Sequence, residues 1–377
     1  MNVKNTVIVF GATSYVGQHV ISSLLNDAYN VVAVSRDRAK CSILLADNAR
    51  KVSIVPLDDP DAMNSAKPLA IINLAYVKDA PSYAIHRRNQ SLIKKVVSIA
   101  DATSCERLIH VSTQAVFGLS FNRTPTPTRV SFKHGSAYEE TKLLAEELLL
   151  SLTIRKAYSL SIIRPGNVIG PGSPVWIAAL AQKILEGRPV GYQNRLGYSN
   201  TTYVKNLAHY ISFLLKQTRE SLNQFGCYHH LAEFSLRPWR QILEYLSSVI
   251  GKNFKLISFP VRLQSSRQGT VGYRITSRLK EGRVGSYVKL AANRFISERF
   301  FGDVISPWLK RLYVAQPHLG AMEWVQKTDS SDRTLFEILS EKIRFESHVH
   351  PTWSAPFTFE DALKDIGEWL RKAGYVV

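Results

Sequence analysis

A buried strand, a glycine-containing turn and a helix follow one another at the start of the chain, and this order restricts the possible folds most. Residues 5–10 read NTVIVF, residues 11–17 read GATSYVG, and a helical run QHVISSLL follows. Gly11 permits a tight turn, Gly17 permits close helix–strand packing, and the helix N-terminus offers free N–H groups to a pyrophosphate. We therefore expect a dinucleotide-binding turn, although Ser14 replaces the usual middle glycine and a turn without a ligand is the alternative. The expected contacts are Gly11, Thr13, Ser14, Tyr15, Val16 and Gly17.

Apolar strands then alternate with helical patterns. Further strands are expected at 30–34, 52–56, 70–74, 107–111 and 160–163. This alternation predicts an α/β fold with a Rossmann-type, doubly wound parallel sheet, whose ligand lies along the carboxyl ends of the strands. The 377 residues are enough for two lobes. We expect the dinucleotide-binding domain at 1–170 and a smaller, mostly substrate-binding lobe at 171–377.

The residues after the second strand predict which cofactor is bound. An NAD site usually presents a carboxylate there for the ribose diol. Ser35 and Arg36 stand in that place, and a guanidinium suits a 2′-phosphate, so NADP is expected, while Asp37 keeps NAD as the alternative. Further candidate cofactor contacts follow the third and fourth strands, namely Asp58, Leu74 and Ala75.

Tyr138 and Lys142 lie four residues apart in the segment SAYEETKLLAEELL at 136–149. Its leucine and alanine spacing predicts an amphipathic helix, on which residues i and i+4 share a face. The ammonium favours the phenolate and is expected to lower the Tyr138 pKa from its ordinary value of about 10. Such a pair suits proton transfer at a carbinol or carbonyl oxygen, whereas an ordinary exposed helix face is the alternative interpretation.

Four motifs occur in a fixed order: GATSYVG, then VSTQAVFG at 111–118, YEETK at 138–142 and RPGNVIGPG at 164–172. Together they resemble the extended short-chain dehydrogenase/reductases, the NAD(P)-dependent epimerase/dehydratase family. The resemblance implies that Tyr138 is the acid–base residue, that Lys142 orients the nicotinamide ribose, and that Thr113 polarises the substrate oxygen. It also implies that Asn89 supports Lys142 through water. The residues placed beside the nicotinamide and substrate are Pro165, Gly166, Asn167 and Val168.

Two departures from the family pattern bear on the reaction. Sugar-nucleotide dehydratases of this family carry an Asp-Glu pair after the hydroxyl residue, because eliminating water needs an extra acid and base. Gln114 and Ala115 stand there instead and cannot titrate, so dehydration is disfavoured and one or two hydride transfers remain. In YVKNLA at 203–208, Lys205 and Asn206 replace an acidic pair that the family usually carries.

Helical patterns at 175–186, 206–215 and 240–250 predict a small lobe over the sheet, with the ligand in the cleft. A closing helix is expected at 359–369. The candidate substrate contacts are Thr113, Gln114, Tyr138, Asn167, Val175, Trp176 and the segment 198–203.

The formal charge of +18 implies attraction to polyanions. Residues 262–311 contribute a net +8 of it and interleave aromatic side chains, so this insert can lie on anionic lipid or clamp a diphosphate. A solvated flank of the small lobe is an equal alternative. Nucleic acid is disfavoured because no RNP, zinc or helix-turn-helix pattern accompanies the charge.

Three functions therefore stay open. The first is a nucleotide-sugar epimerase or reductase, the second a hydroxysteroid or lipid-linked alcohol dehydrogenase at a membrane surface, and the third a non-catalytic cofactor-binding scaffold. Three scattered cysteines without a C-x-x-C pair argue against a disulfide frame or a zinc site, and they fit a reducing cytosol. The family resemblance also suggests a homodimer through the helices that carry Asn89 and Tyr138.

Overall fold

A computed structural model describes residues 5–45, 52–64, 67–78, 82–117, 137–154, 156–258 and 330–376. Its centre is a parallel sheet of seven strands, counted over these residues. The strands are β1 (Thr6–Phe10), β2 (Asn30–Ser35), β3 (Val52–Pro56), β4 (Ala70–Asn73), β5 (Arg107–Val111), β6 (Ser159–Pro165) and, further along the chain, β10 (Tyr228–Leu231).

The strand order across the sheet is β3-β2-β1-β4-β5-β6-β10. Every neighbouring pair is parallel, with Val9 of β1 opposite Ala33 of β2 and Ile72 of β4. The direction of winding reverses between β1 and β4, where such sheets form their ligand crevice. The predicted doubly wound α/β fold is confirmed.

Both faces of the sheet are covered by helices, because strands such as β1 are fully buried and need apolar partners on each side. One face packs on α1 (Tyr15–Asn26) and α7 (Val204–Lys216), which contribute Val20, Leu24 and Ile211 to one apolar cluster. The other face packs on α4 (Ser82–Thr103) and α5 (Ala137–Thr153) through residues such as Val96 and Leu149. Two short helices, α2 (Arg38–Leu44) and α3 (Pro60–Asn64), complete this unit.

The sheet also draws on chain beyond residue 170, where the sequence placed the start of the substrate lobe. Strand β10 pairs with β6, and α7 covers the sheet beside α1. The segment 204–231 therefore returns to the first unit. Strand β10 was missed in the sequence because Tyr228–Leu231 is four residues long and contains two histidines, His229 and His230.

The small lobe has its own apolar cluster, in which Trp239, Ile184 and Ile366 are fully buried. It contains a π-helical turn at Pro174–Ala178 and pairs β7 with β9 and β8 with β11. Its strands are β7 (Asn167–Ile169), β8 (Pro189–Tyr192), β9 (Thr201–Tyr203) and β11 (Lys255–Ile257). The remaining helices of the described chain are α6 (Ala179–Leu185), α8 (Arg219–Phe225), α9 (Trp239–Ile250), α10 (Ser330–Leu339) and α11 (Phe359–Lys372).

Helix α11 closes the described chain and begins with a capping box formed by Thr358 and Asp361. Lys205 and Asn206, which replace the family's acidic pair, hold α11 and the residues directly before it. Lys205 forms an ion pair with Asp365 of α11, and the Asn206 amide exchanges two hydrogen bonds with the backbone of Phe357. Among the described helices, none has both the length and the apolarity needed to cross a lipid bilayer.

Candidate functional site

The turn after β1 has the close packing that a dinucleotide site requires. Gly11 has a φ of +82°, and a Cβ placed on it would lie 2.8 Å from the backbone of Leu74 and Ala75. A Cβ on Gly17 would lie 2.3 Å from the carbonyl oxygen of Gly11. No side chain would fit at either glycine without a clash, and Leu74 and Ala75 lie against the turn as expected.

Ser14, at the position of the missing glycine, is the N-cap of α1. Its hydroxyl accepts a hydrogen bond from Gly17 N at 3.0 Å, and its own N–H donates to Gly11 O at 2.9 Å. The serine thus satisfies one helix N–H that a bound pyrophosphate would otherwise accept a hydrogen bond from. Thr13, Tyr15 and Val16 are partly exposed around this turn.

The end of β2 presents an arginine and no free carboxylate. The Asp37 carboxylate caps α2 by accepting from Lys40 N at 2.9 Å, and the buried Ser35 hydroxyl bonds the backbone of Asp37. Arg36 is exposed and forms no ion pair or side-chain hydrogen bond with another described residue. The guanidinium is accordingly free to meet an anion, whereas the neighbouring carboxylate is engaged.

The two aspartates after β3 differ in the same way. Asp59 accepts from Ala62 N at 3.0 Å and so begins α3, while Asp58 is exposed. Of the two, Asp58 is the one that a ligand at this edge could reach.

Thr113 and Tyr138 meet at the carboxyl edge of the sheet. Thr113 follows β5 and Tyr138 stands in the first turn of α5, and the Thr113 side chain lies close enough to the Tyr138 phenol to oppose the rise in its pKa. The Thr113 hydroxyl also accepts from Ala115 N at 3.2 Å. Two hydroxyl groups that converge on one point can both contact the same oxygen of a ligand.

The expected lowering of the Tyr138 pKa by Lys142 is wrong. Burial raises the pKa of the Tyr138 phenol to about 12, the Thr113 side chain opposes this shift, and Tyr76 and Glu139 add to it. Although the Tyr138 residue as a whole is 40% exposed, the Tyr76 ring stands edge-on to its ring at 5.1 Å. Helical spacing correctly placed Tyr138 and Lys142 on one face of the helix, but it could not show that this face is shielded from water.

Lys142, one helical turn after Tyr138, is buried and also has a shifted pKa. Its ammonium donates to the carbonyl oxygen of Val111 at 3.0 Å and lies 5.6 Å from the centre of the Tyr76 ring. Burial lowers the pKa of Lys142 to about 8, against an opposing effect of the Glu146 carboxylate. One of its three N–H donors is thus used by the sheet, and the ammonium is partly deprotonated at mildly alkaline pH.

Asn89 is buried on α4 and supports the site through the backbone. Its amide bonds both the N–H and the carbonyl of Val77, at 2.9 and 3.0 Å, and donates to Ile85 O at 2.8 Å. Among the described residues Asn89 forms no direct hydrogen bond with Lys142. Its hydrogen bonds hold the segment after β4 that carries Tyr76, and its support of Lys142 through water stays a prediction.

The polar residues after β5 point into a buried layer. Gln114 and Ser112 are 7% and 4% exposed, and the Gln114 Oε1 and Ser112 Oγ atoms have no hydrogen-bond partner within the described residues. Beneath them, His110 and the Asn73 amide are 3.1 Å apart. Unpartnered buried oxygens at the end of a central strand are suited to a polar ligand.

The end of β6 forms the other wall of the site. Gly166 N donates to the Thr202 hydroxyl at 2.9 Å, and a Cβ on Gly166 would lie 2.1 Å from Asn200 O. The Asn167 amide donates to Ser199 O at 2.7 Å. Pro165 is buried and Val168 partly buried, so this wall is held mainly by the segment 199–202.

Val175 and Trp176 lie in the π-helical turn. Val175 is 53% exposed, while the Trp176 ring packs against Trp239 with centroids 5.2 Å apart. Trp176 therefore contributes to the apolar cluster of the small lobe, and Val175 is the member of the pair that is open to solvent.

Three residues near the site were missed in the sequence: Tyr76, Glu146 and Arg164. Glu146 could have been found, because it lies one turn after Lys142, and Arg164 lies within the motif RPGNVIGPG. Tyr76 carries no sequence signal, since a loop residue reaches Tyr138 only through tertiary packing. The insert 262–311 and residues 118–136 lie outside the described residues.

Comparison with known proteins adds to this geometry. The family model for the NAD dependent epimerase/dehydratase family matches residues 7–225. UDP-glucose 4-epimerase 4 of Oryza sativa subsp. japonica is 24% identical over 244 residues, which span 59% of this chain and 60% of that protein.

Two solved structures share the fold over 98% of this chain. UDP-glucose 4-epimerase from Thermotoga maritima, solved with UDP-glucose, has a TM-score of 0.60 at 14% identity and is covered over 99% of its length. The Bordetella bronchiseptica enzyme WbmG, solved with NAD and UDP, has a TM-score of 0.62 at 12% identity and is covered over 96%.

Proposed function

Because the chain belongs to the NAD dependent epimerase/dehydratase family, we propose that it catalyses hydride transfer at a secondary alcohol or ketone of a nucleotide sugar. Tyr138 is the proposed acid–base residue, Thr113 the hydroxyl that positions the substrate oxygen, and Lys142 the cation beneath them. The observation that carries the proposal is the convergence of the Thr113 and Tyr138 side chains at the carboxyl edge of the sheet, with the buried Lys142 one turn further along the same helix.

Tyr138, Lys142 and Thr113 have different roles in the transfer of one proton. With a pKa of about 12 the Tyr138 phenol is protonated near neutral pH, so it is ready to donate a proton to a carbonyl oxygen that is being reduced. In the oxidative direction the phenol must first lose its proton, which a charged Lys142 favours and a neutral one does not. Thr113 can hold the substrate oxygen within reach of the phenol in both directions.

The turn and strand ends fit a nicotinamide dinucleotide, which when bound supplies the hydride acceptor or donor. Gly11 and Gly17 allow the close approach, and the N-terminus of α1 provides a positive dipole end. The Gln114 and Ser112 oxygens, which have no hydrogen-bond partner within the described part of the chain, add polar groups at the same edge. Similar solved structures that contain NAD support the same cofactor class.

We propose NADP as the preferred cofactor because Arg36 has no partner among the described residues, whereas the Asp37 carboxylate caps a helix. A guanidinium pairs with a 2′-phosphate, whereas the Asp37 carboxylate that an NAD ribose would need caps α2. Arg36→Gln should weaken NADP⁺ binding about tenfold or more and leave NAD⁺ binding nearly unchanged. Isothermal titration of both cofactors checks this, with Arg38→Gln as the control on the same segment, and equal effects on the two cofactors would contradict it.

A nucleotide diphosphate sugar is the proposed substrate class. The support is the family, the UDP-glucose and UDP named for similar structures, and the positive charge of the chain. Gln114 and Ala115 provide no second acid and base, so the proposed reaction is oxidation, reduction or epimerisation, and not dehydration.

The direct test replaces Tyr138 by phenylalanine. Tyr138→Phe should lower turnover at least a hundredfold while cofactor affinity stays within a few-fold, because only the transferable proton is removed. Turnover is followed with UDP-, GDP- and dTDP-sugars by cofactor absorbance and by product separation, since an epimerase shows no net change of absorbance. Tyr158→Phe, in the core under α4 and α5, is the matched control. Full activity of Tyr138→Phe would exclude the acid–base role.

The assembly is proposed to be a homodimer through α4 and α5, in a reducing cytoplasmic setting. The three cysteines are free thiols, which fits such a setting. Light scattering on the purified protein would measure its molar mass in solution, and the mass of a single chain would contradict the dimer.

A further inference from the structure

Arg164 and Glu146 form a buried, two-pronged ion pair between β6 and α5. Both side chains are 1% exposed. The Arg164 Nε lies 3.1 and 3.2 Å from the two Glu146 oxygens, and Nη2 donates to Oε2 at 2.6 Å. The guanidinium also lies 4.2 Å from the ring centre of Tyr228 and 5.0 Å from that of Phe117. Several partners therefore fix the orientation of this pair.

The pair joins the two walls of the candidate site. Glu146 lies one helical turn after Lys142, which itself lies one turn after Tyr138. Arg164 is followed directly by Pro165, Gly166 and Asn167. A displacement of Arg164 relative to Glu146 would therefore move the acid–base helix relative to the strand end opposite it.

The pair also sets the charge environment of Lys142. The titratable groups that act on or lie near its ammonium are Glu146 on α5, Tyr76 after β4 and His110 on β5. Burial keeps His110 neutral, because it lowers the pKa of that imidazole well below its ordinary value. Glu146 is the carboxylate in this group, and it opposes the loss of the Lys142 proton that burial favours.

We propose, on the basis of the proposed function, that Glu146 and Arg164 are positioning residues of the reaction. Their ion pair locks α5 against β6, and the Glu146 carboxylate keeps the Lys142 ammonium charged beneath Tyr138. This role differs from structural support alone, because a buried ion pair can often be replaced by apolar side chains without loss of stability. Such a replacement would preserve the fold and remove the charge.

The experiment follows the titration of Lys142 directly. The pH dependence of Lys142 acetylation by acetic anhydride is measured by mass spectrometry, beside the pH profile of turnover, in the wild type and four variants. Glu146→Gln removes the charge with little change of shape, and Glu146→Asp keeps it. Glu146→Gln/Arg164→Met removes both charges and so avoids an unpaired buried arginine. Glu147→Gln removes an exposed carboxylate from the next position of the same helix.

We expect Glu146→Gln and the double variant to shift the Lys142 midpoint and the alkaline limb of turnover by about one unit to lower pH. That shift is roughly a fivefold loss of turnover at the midpoint of the wild-type alkaline limb, and it approaches about tenfold at higher pH. Glu146→Asp should keep the wild-type midpoint with reduced turnover, and Glu147→Gln should match the wild type. If a double variant of wild-type melting temperature keeps the wild-type midpoint and turnover, the pair is structural only and the proposal is overturned.

The two proposals fail in different ways. A wild type that turns over none of the nucleotide sugars would defeat the proposed function, while the acetylation midpoints would still show whether Glu146 sets the charge of Lys142. An unchanged midpoint in Glu146→Gln, with turnover intact in the wild type, would defeat the positioning role alone.

Discussion

Gly11 has a φ of +82°, and its missing Cβ would lie 2.8 Å from Ala75 N and Leu74 C. Gly226 also has a positive φ, of +96°, but no atom lies within 4 Å of the Cβ position. The two glycines thus share a backbone conformation that disfavours side chains and differ in the space around them. Substituting alanine at each position therefore separates the cost in stability of backbone strain from the cost of steric contact with neighbouring atoms.

Gly11→Ala should therefore cost more stability than Gly226→Ala. Gly226→Ala carries only backbone strain, about 1 kcal/mol, whereas Gly11→Ala must also displace backbone at the end of β4, for a total of roughly 3 kcal/mol. Urea unfolding of the two variants measures this difference. Equal losses would show that the turn can relax and that its closeness is not a constraint.

At the scale of elements, α11 is held to α7 by two kinds of contact. The Lys205–Asp365 ion pair is 42% exposed on the lysine side. Asn206 is fully buried, and its amide donates to Glu233 Oε1 at 3.0 Å and to Phe357 O at 2.9 Å. Burial raises the pKa of Glu233 to about 7. Lys205 and Asn206 therefore both have structural partners. Only Asn206 is buried, so only its replacement would leave a buried group without its hydrogen-bond partner.

Restoring the family's acid at this position should weaken the docking of α11. Asn206→Asp removes the donor and places a second carboxylate beside Glu233, so we expect a loss of roughly 2–4 kcal/mol at pH 8. The loss should shrink at pH 5.5, because the folded state then takes up a proton between the two carboxyl groups. Lys205→Met, at the half-exposed pair, should change stability by less than about 1 kcal/mol. Chemical unfolding at both pH values measures this, and a neutral Asn206→Asp would contradict it.

At the scale of the whole molecule, buried histidines make stability depend on pH. Burial lowers the pKa of His229 to about 3 and those of His19 and His230 to about 4, all below the ordinary value of 6.5. The unfolded state therefore binds their protons first, so stability is full above pH 6.5 and is lost as pH falls toward 4. Glu233 acts in the opposite direction, because its raised pKa makes the folded state bind a proton between pH 7 and 4.5.

These three histidines, to which the buried His110 adds, outweigh one carboxyl group, so acid should destabilise the protein. The net uptake of at least two protons on unfolding corresponds to roughly 2–3 kcal/mol or more per pH unit between pH 6.5 and 4.5. The melting temperature should fall steeply over that range, and His230→Phe should make the fall shallower. A melting temperature that is constant from pH 7 to 5 would contradict this account.

Part of the site could be read from the residues alone. Gly11, Thr113, Tyr138 and Lys142 were placed by local patterns, since turn, strand end and helical spacing are short-range properties of the chain. The contribution of Tyr76, the backbone role of Asn89 and the raised pKa of Tyr138 could not be read. Each of these depends on which distant segments surround a group and how much water they exclude.

What the sequence by itself determined is the alternation of strands and helices, the tight turn after β1 and the family. These follow from apolar periodicity and from glycines whose conformations are local. Tertiary structure alone decided that Tyr228–Leu231 completes the sheet and that Asp37 is occupied as a cap while Arg36 has no partner among the described residues. It also decided that Glu146, one turn after Lys142, forms a buried ion pair with Arg164. The physical reason is that burial and charge neighbourhood are sums over residues far apart in the chain, which no local pattern contains.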